Sequence, residues 1–161
     1  EAARHGMSVL LARGELGFDG QIESDCAPLN DVCDAARQYA VTFARDATRG
    51  GIAAVLNEIA AMCGVGFLME DEHIKVRDNV RYLCDMLGFD PLSVANEGLA
   101  VIIVKEQDAE KALADIRKTA NGADAAIAGT VTSDGKVVLK TTIGGKRFIE
   151  MPRGELLPRI C

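Results

Sequence analysis

Tryptophan is absent from this chain, and aromatic residues make up only 4% of it. A core without large rings must be assembled from Ala, Val, Leu and Ile. Histidine is scarce as well: His5 and His73 stand far from any cysteine grouping, and the five cysteines contain no Cys-x-x-Cys. These spacings exclude zinc and iron–sulfur sites, so no metal ligand is assigned. No apolar run is long enough to span a membrane; the longest obvious strand core is Leu99 to Val104. An excess of basic charge is also lacking. The formal net charge is −6, which argues against nucleic acid as a general partner. An odd cysteine count without a pairing pattern fits a reducing, cytoplasmic compartment. Cys161 is not four residues from the end, so it is not a prenylation site.

A chain of 161 residues fits one domain, and about 70% of the unfolded surface can be buried at this size. With 48% hydrophobic and 26% charged residues the composition is globular. Met7 to Leu11 reads as a short helix, followed by a polar, Gly-containing stretch through Asp25. Pro28 is expected in the first turn of a second helix with Leu29, Val32, Cys33 and Ala36 inward. Val41 to Arg45 reads as a strand. Ile52, Val55, Leu56, Ile59 and Cys63 follow helical spacing from Gly50-Gly51, with Gly64 as a left-handed stop. Val65 to Met69 reads as a strand. Val76, Val80, Leu83, Cys84 and Leu87 mark a helix ended by Gly88, and Asp90-Pro91 reads as a cap with proline at the first helical position. Leu99 to Val104 reads as a strand buried on both faces. Asp108 is expected to cap a helix with Ala109, Ala112, Leu113 and Ile116 inward. Ser133-Asp134-Gly135 predicts a hairpin between Ala125–Thr132 and Lys136–Thr141, and Gly144-Gly145 turns the chain into Arg147-Phe148-Ile149. Cys33, Cys63 and Cys84 are expected in the core, while Cys26 stays open. The mixed order implies an α+β layered fold, a mixed sheet with packed helices, over residues 1–150.

Three places can carry chemistry. Asp46-Ala47-Thr48-Arg49-Gly50-Gly51 directly precedes a helix, where unpaired N–H groups and an arginine fork suit an anion. It lacks the P-loop spacing, and a Thr-capped glycine turn is equally compatible with it. Ala95-Asn96-Glu97-Gly98 precedes the buried strand; Asn and Glu there can orient a substrate and move protons, or simply form a turn. The third is the 151–161 tail with Cys161 as its last residue. From Gly144 onward four basic side chains (Lys146, Arg147, Arg153, Arg159) face two acidic ones (Glu150, Glu155). Extended at ~3.3 Å per residue, the tail reaches on the order of 35 Å, enough to carry a thiol between two sites. Tethering supplies a local concentration on the order of millimolar.

Beyond these three places the chain has His5-Gly6-Met7, Glu23-Ser24-Asp25-Cys26-Ala27-Pro28-Leu29, Leu56-Asn57-Glu58 and Leu87-Gly88-Phe89-Asp90-Pro91-Leu92. In this order, and ending in Pro158-Arg159-Ile160-Cys161, the set resembles the C-terminal half of the HypE family of hydrogenase maturation factors. The final four residues are the most specific element. Asp46 to Gly51 is shared more loosely with aminoimidazole ribonucleotide synthetase and selenophosphate synthetase. Leu99 departs from the family, which often has Lys after Asn-Glu-Gly.

The resemblance implies a fold like the C-terminal domain of the synthetase PurM, plus a flexible tail. It implies that a carbamoyltransferase, HypF, loads a carbamoyl group onto Cys161, and that ATP with Mg drives its dehydration to a thiocyanate. The cyano group then passes to iron on a HypC–HypD scaffold. Carried over, Cys161 is the covalent carrier, Glu97 a proton acceptor and Asn96 a substrate-orienting residue. Asp46, Thr48, Arg49, Gly50 and Gly51 form the nucleotide-facing wall. Family members also carry an N-terminal domain that supplies most of the ATP and magnesium ligands and the homodimer interface. This chain is therefore read as a fragment that folds but does not hydrolyse ATP alone. Two other readings predict different behaviour: another phosphate-activating synthetase, indifferent to loss of Cys161, or a docking module whose basic tail recruits a partner without using the thiol.

Overall fold

The computed structural model describes residues 1–14 and 21–153. Residues 15–20 and 154–161 lie outside the described residues, and with them Cys161 and most of the expected tail. Five α-helices occur among the described residues: α1 (Arg4–Ala12), α2 (Asn30–Ala36), α3 (Gly51–Cys63), α4 (Asp78–Leu87) and α5 (Glu106–Ile116). The strands are β1 (Val41–Asp46), β2 (Gly66–Glu70), β3 (Ala100–Val104), β4 (Gly129–Thr132), β5 (Val137–Lys140) and β6 (Lys146–Phe148). Short 3₁₀ turns occupy Asp71–His73 and Pro91–Ser93. In the latter, Pro91 stands at the first position and Asp90 Oδ1 accepts the Leu92 N–H at 3.0 Å, the expected cap.

Two helices stop where sequence places glycine. The α3 helix ends at Gly64 (φ 67°), whose N–H bonds back to the Ala60 carbonyl, and α4 ends at Gly88 (φ 70°). Strands β1 and β3 form an antiparallel two-stranded ribbon, and the other four form a mixed sheet in the order β4-β2-β5-β6. The main core sets Val55, Leu56 and Ile59 of α3 against Phe67, Met69, Val137, Leu139 and Ile149, with Phe43, Val101 and Ile103 of the ribbon packed on. A second cluster joins α1 to α4 through Met7, Leu10, Val80, Leu83 and Cys84. A third joins α2 to α5 through Val32, Ala36 and Ile116, and takes in Ile102 and Val41 from the other ribbon face. Both ribbon faces are thus covered. With only two strands, however, the β3 residues are half-buried rather than enclosed.

Four expectations need correction. The Ser133-Asp134-Gly135 turn does not close a hairpin, because β2 lies between β4 and β5, antiparallel to the first and parallel to the second. The connection crosses the end of β2 at Gly66, where any side chain would collide with Asp134, Thr132 Oγ1 and the Lys136 carbonyl. Pro28 precedes α2 instead of entering it; its carbonyl accepts from Asn121 Nδ2 at 3.1 Å. The α5 helix begins two residues before Asp108, whose carboxylate accepts the Ala40 N–H at 3.3 Å instead of capping. Finally, Cys33 and Cys63 are exposed and only Cys84 is buried. Val32 and Ala36 define the inner stripe of α2, so Cys33 is turned about 100° away. Cys63 sits in the last turn of α3, which overhangs the core from Ala61 onward.

Burial pushes the Cys84 thiol up to about 11, with Asp85 and Asp90 adding to the shift. Thiolate is the reactive form, so the group is masked twice, by access and by protonation. Thiol labelling near neutral pH, read by peptide mass mapping, is expected to modify Cys26, Cys33 and Cys63 quickly and Cys84 only on unfolding.

Candidate active site

The ribbon register explains why two separate sequence motifs meet. In the antiparallel β1–β3 pair Asp46 lies opposite Ala100, so the loop leaving β1 and the loop entering β3 emerge at the same end. Backbone bonds then stitch them together. Ala47 N–H donates to the Leu99 carbonyl at 2.9 Å and Asn96 N–H to the Thr48 carbonyl at 3.4 Å.

Asn96 is the knot of this junction and is only 1% exposed. Its Oδ1 accepts the Ala3 N–H at 2.8 Å, and its Nδ2 donates to the carbonyls of Ala47 at 3.1 Å and Val94 at 2.9 Å. The amide is spent on backbone, so Asn96 holds the two loops and the start of α1 in place instead of presenting itself to a substrate. Truncation would leave three backbone groups unpaired in a dry site. Asn96→Ala is expected to destabilise the fold by roughly 3 kcal/mol or more, read as a lower urea midpoint with an unchanged slope.

The glycine pair is required by geometry. Gly50 and Gly51 both have positive φ (71° and 59°). A Cβ on Gly51 would stand 2.5 Å from the carbonyl oxygens of both Leu92 and Val94. Gly50 is the N-cap of α3 and no side chain caps the helix, so the Thr-capped alternative does not describe this turn; Thr48 contributes its carbonyl, which accepts from Gly51 N–H. No side chain among the described residues caps the positive end of α3, and its first turn holds no acidic residue. Arg49 beside it is exposed and makes no ion pair among the described residues, whereas its neighbour on β1, Arg45, is bound to Glu58. Asp46 is exposed at the strand end.

Glu97 follows Asn96 and is half-buried, with no hydrogen-bond or ion-pair partner among the described residues. The chain leaves its last strand toward this same place. Asn57 Nδ2 holds the Ile149 carbonyl at 2.9 Å, and Pro152 Cγ comes within 3.6 Å of the position a Cβ on Gly50 would take. Residues 151–153, the described start of the tail, thus run past the uncapped end of α3. No group of three or more His, Cys, Asp or Glu side chains among the described residues could hold a metal ion. No helix among them is long and apolar enough to cross a membrane. One contributor was singled out only within the resemblance: Asp25, in the irregular 21–29 segment. Its backbone carbonyl presses on Gly98 so closely that a methyl group there would overlap it. No periodicity marks such a residue, because a coil segment carries none.

A ribbon-and-sheet α+β domain with a glycine turn ahead of an uncapped helix defines a class, and the chain belongs to it: the AIR synthase related protein, C-terminal domain, family, matched over residues 2–141. Within that class it is similar to the carbamoyl dehydratase HypE of Rhodobacter capsulatus, at 45% identity over 163 aligned positions, 98% of this chain and 47% of that protein. A solved HypE structure in complex with ATP superposes with a TM-score of 0.90 at 38% identity, covering 100% of this chain and 50% of that one. A chain of a solved HypE–HypF complex superposes with a TM-score of 0.88 at 40% identity, covering 94% of this chain and 50% of that one. The chain spans about half the length of the curated relatives it matches and corresponds to the C-terminal half of HypE.

Proposed function

We propose that this chain is the carrier half of an ATP-dependent carbamoyl dehydratase in hydrogenase maturation. Cys161 carries the S-carbamoyl group, which is dehydrated to a thiocyanate and donated as a cyanide ligand to the active-site iron. The observation that carries this reading is spatial: the described start of the tail passes Gly50, where the 46–51 loop meets the 94–98 loop, and neither Arg49 nor Glu97 has an ion-pair partner among the described residues. A thiol tethered beyond that point is delivered to a positive helix end and an acidic side chain.

The residues divide the work by their chemistry. ATP supplies the phosphoryl group that turns a carboxamide oxygen into a leaving group. Arg49 and the N–H groups at the start of α3 face the developing phosphate charge, with Gly50 and Gly51 allowing close approach and Asp46 and Thr48 shaping the wall. Glu97 accepts amide protons. Asn96 fixes the distance between the two loops. Magnesium bound with ATP needs one or two carboxylates besides phosphate oxygens; no group of three or more such ligands occurs among the described residues, and most of the ligands are assigned to the part of the relatives that this chain does not span. HypF as carbamoyl donor, a HypC–HypD acceptor, a homodimer of the longer protein and a cytoplasmic setting complete the proposal.

The test uses full-length protein with its carbamoyltransferase, carbamoyl phosphate and ATP. Intact mass should rise by one carbamoyl group and then fall by one water in an ATP-dependent step. Absence of the second change would refute the reading. The 1–161 chain alone should not turn over ATP.

A further inference from the structure

The chain leaves the domain along α3, and one side chain of that helix holds it there. Asn57 Nδ2 donates to the carbonyl of Ala53, one turn back on α3, at 2.8 Å, which fixes the rotamer, and to the carbonyl of Ile149 at 2.9 Å. Ile149 is 2% exposed and its N–H donates to the Val137 carbonyl at 2.9 Å, so the sheet and the helix grip the same residue from two sides. Further on, Pro152 Cγ lies 3.6 Å from where a Cβ on Gly50 would stand. The helix rises ~10 Å from Gly50 to Asn57, and the chain covers ~10 Å from Ile149 to Pro152 when extended. The two spans match, so 149–152 is a strap drawn along α3 with little slack. Proline fixes its own φ and steers Met151 before it to extended backbone, which keeps the strap straight. Glu58, next to Asn57, binds Arg45 of β1. One turn of α3 therefore holds both the root of the tail and the strand that leads to Asp46.

The proposed function, on which this inference rests, needs the end of the tail to reach the uncapped end of α3 and Glu97. We infer that Asn57 is a positioning residue for that reaction: by clasping Ile149 it sets the point and the direction from which the tail departs, and so aims the thiol at the site. A neutral amide suits this task, because it donates to two carbonyls without placing a charge beside the phosphate-facing loop. Asn57 acts through the strap and does not touch the substrate. A tether helps in two ways. Its length sets a local concentration; released at Ile149, the tether lengthens by about half, which costs only about twofold. Its direction sets how much of that concentration falls in reacting geometry, and there a displacement of about 1 Å can cost ~10²-fold. A straight strap that ends beside Gly50 acts on direction.

Delivery and chemistry separate when the tail is trapped without its cargo. Full-length protein carrying Glu97→Cys is equilibrated with reduced and oxidised glutathione. Two protein thiols join as one glutathione disulfide is reduced to two thiols, and peptide mass mapping gives the fraction in which Cys161 is bonded to position 97. That fraction reads the effective concentration of the tail's end at the site. Adding Asn57→Ala should lower it ~5-fold. With Glu97 intact, Asn57→Ala should slow single-turnover dehydration of the loaded adduct ~10-fold, while loading by the carbamoyltransferase is unchanged. A fall in effective concentration of about twofold or less overturns the inference, even if dehydration slows, because a longer tether alone does that. A Glu97→Cys protein that forms no such disulfide overturns it as well. Pro152→Gly slackens the strap without altering α3; if Asn57→Ala does not fold, it carries the test with the same falls expected and the same limit. A wild-type protein that makes no thiocyanate, while the disulfide still depends on Asn57, refutes the proposed function and leaves the aim of the tail standing, so the two failures are distinguishable.

Discussion

Replacing Cys161 with serine is expected to abolish both the carbamoyl adduct and the ATP-dependent loss of water, leaving the intact mass unchanged after incubation with the carbamoyltransferase, carbamoyl phosphate and ATP. The effect should be complete, because the proposed function makes Cys161 the covalent carrier. A thiol is a few per cent thiolate at neutral pH and strongly nucleophilic, whereas a serine hydroxyl without an adjacent base is neither. In the proposed scheme loading takes place on the transferase, away from Glu97, so this chain supplies no such base to a hydroxyl in that step. Three of the four other cysteines are also poorly placed as acceptors, and Cys26, exposed next to Asp25, is the one this variant tests. Cys84 is buried with its thiol pushed up to about 11, and Cys33 and Cys63 sit on helices outside the 46–51 and 94–98 loops. Persistent loading of Cys161→Ser, or cyanide-ligated hydrogenase matured by it in cells, would mean that the carrier lies elsewhere.

The elements whose signals are local were legible in the sequence. Gly64 and Gly88 stop their helices in the left-handed region, and Asp90-Pro91 caps its turn, because each needs only the few residues around it. What failed were inferences in which distant chain decides the outcome. Ser-Asp-Gly specifies that the backbone turns, but not whether the flanking strands pair; β2 intervenes because Gly66 leaves room for the connection to cross its end. Helical spacing placed Cys63 on the stripe of Ile59, yet the core beneath ends before the last turn of α3 does. The candidate site shows the same division. Both motifs could be read from residue type, but their meeting depends on Asp46 lying opposite Ala100, a pairing fifty-four positions apart in the register. Asn96 reads in sequence as a polar group for a ligand; only its three backbone bonds assign it to holding the loops.

Substituting Glu97 with glutamine should separate loading from dehydration. The variant should accept the carbamoyl group from the transferase at the wild-type rate, because that step occurs on another protein's active site. It should then convert the adduct to thiocyanate ~10²- to 10⁴-fold more slowly, the range by which a positioned base accelerates proton removal. Glutamine keeps the size of the side chain and adds N–H donors where an acceptor is needed, so the defect should be one of chemistry and not of folding. Glu97 makes no hydrogen bond or ion pair among the described residues, and its removal strands no partner; the melting temperature should hold. That sets it apart from Asn96→Ala, in which stability and rate fall together. Without Glu97 the first deprotonation is slow, so ADP and thiocyanate should be delayed equally. Single-turnover quench of the pre-loaded variant, with ADP and thiocyanate measured in the same samples and the melting temperature beside them, reads both signatures. Dehydration at the wild-type rate in Glu97→Gln would move the base to another residue.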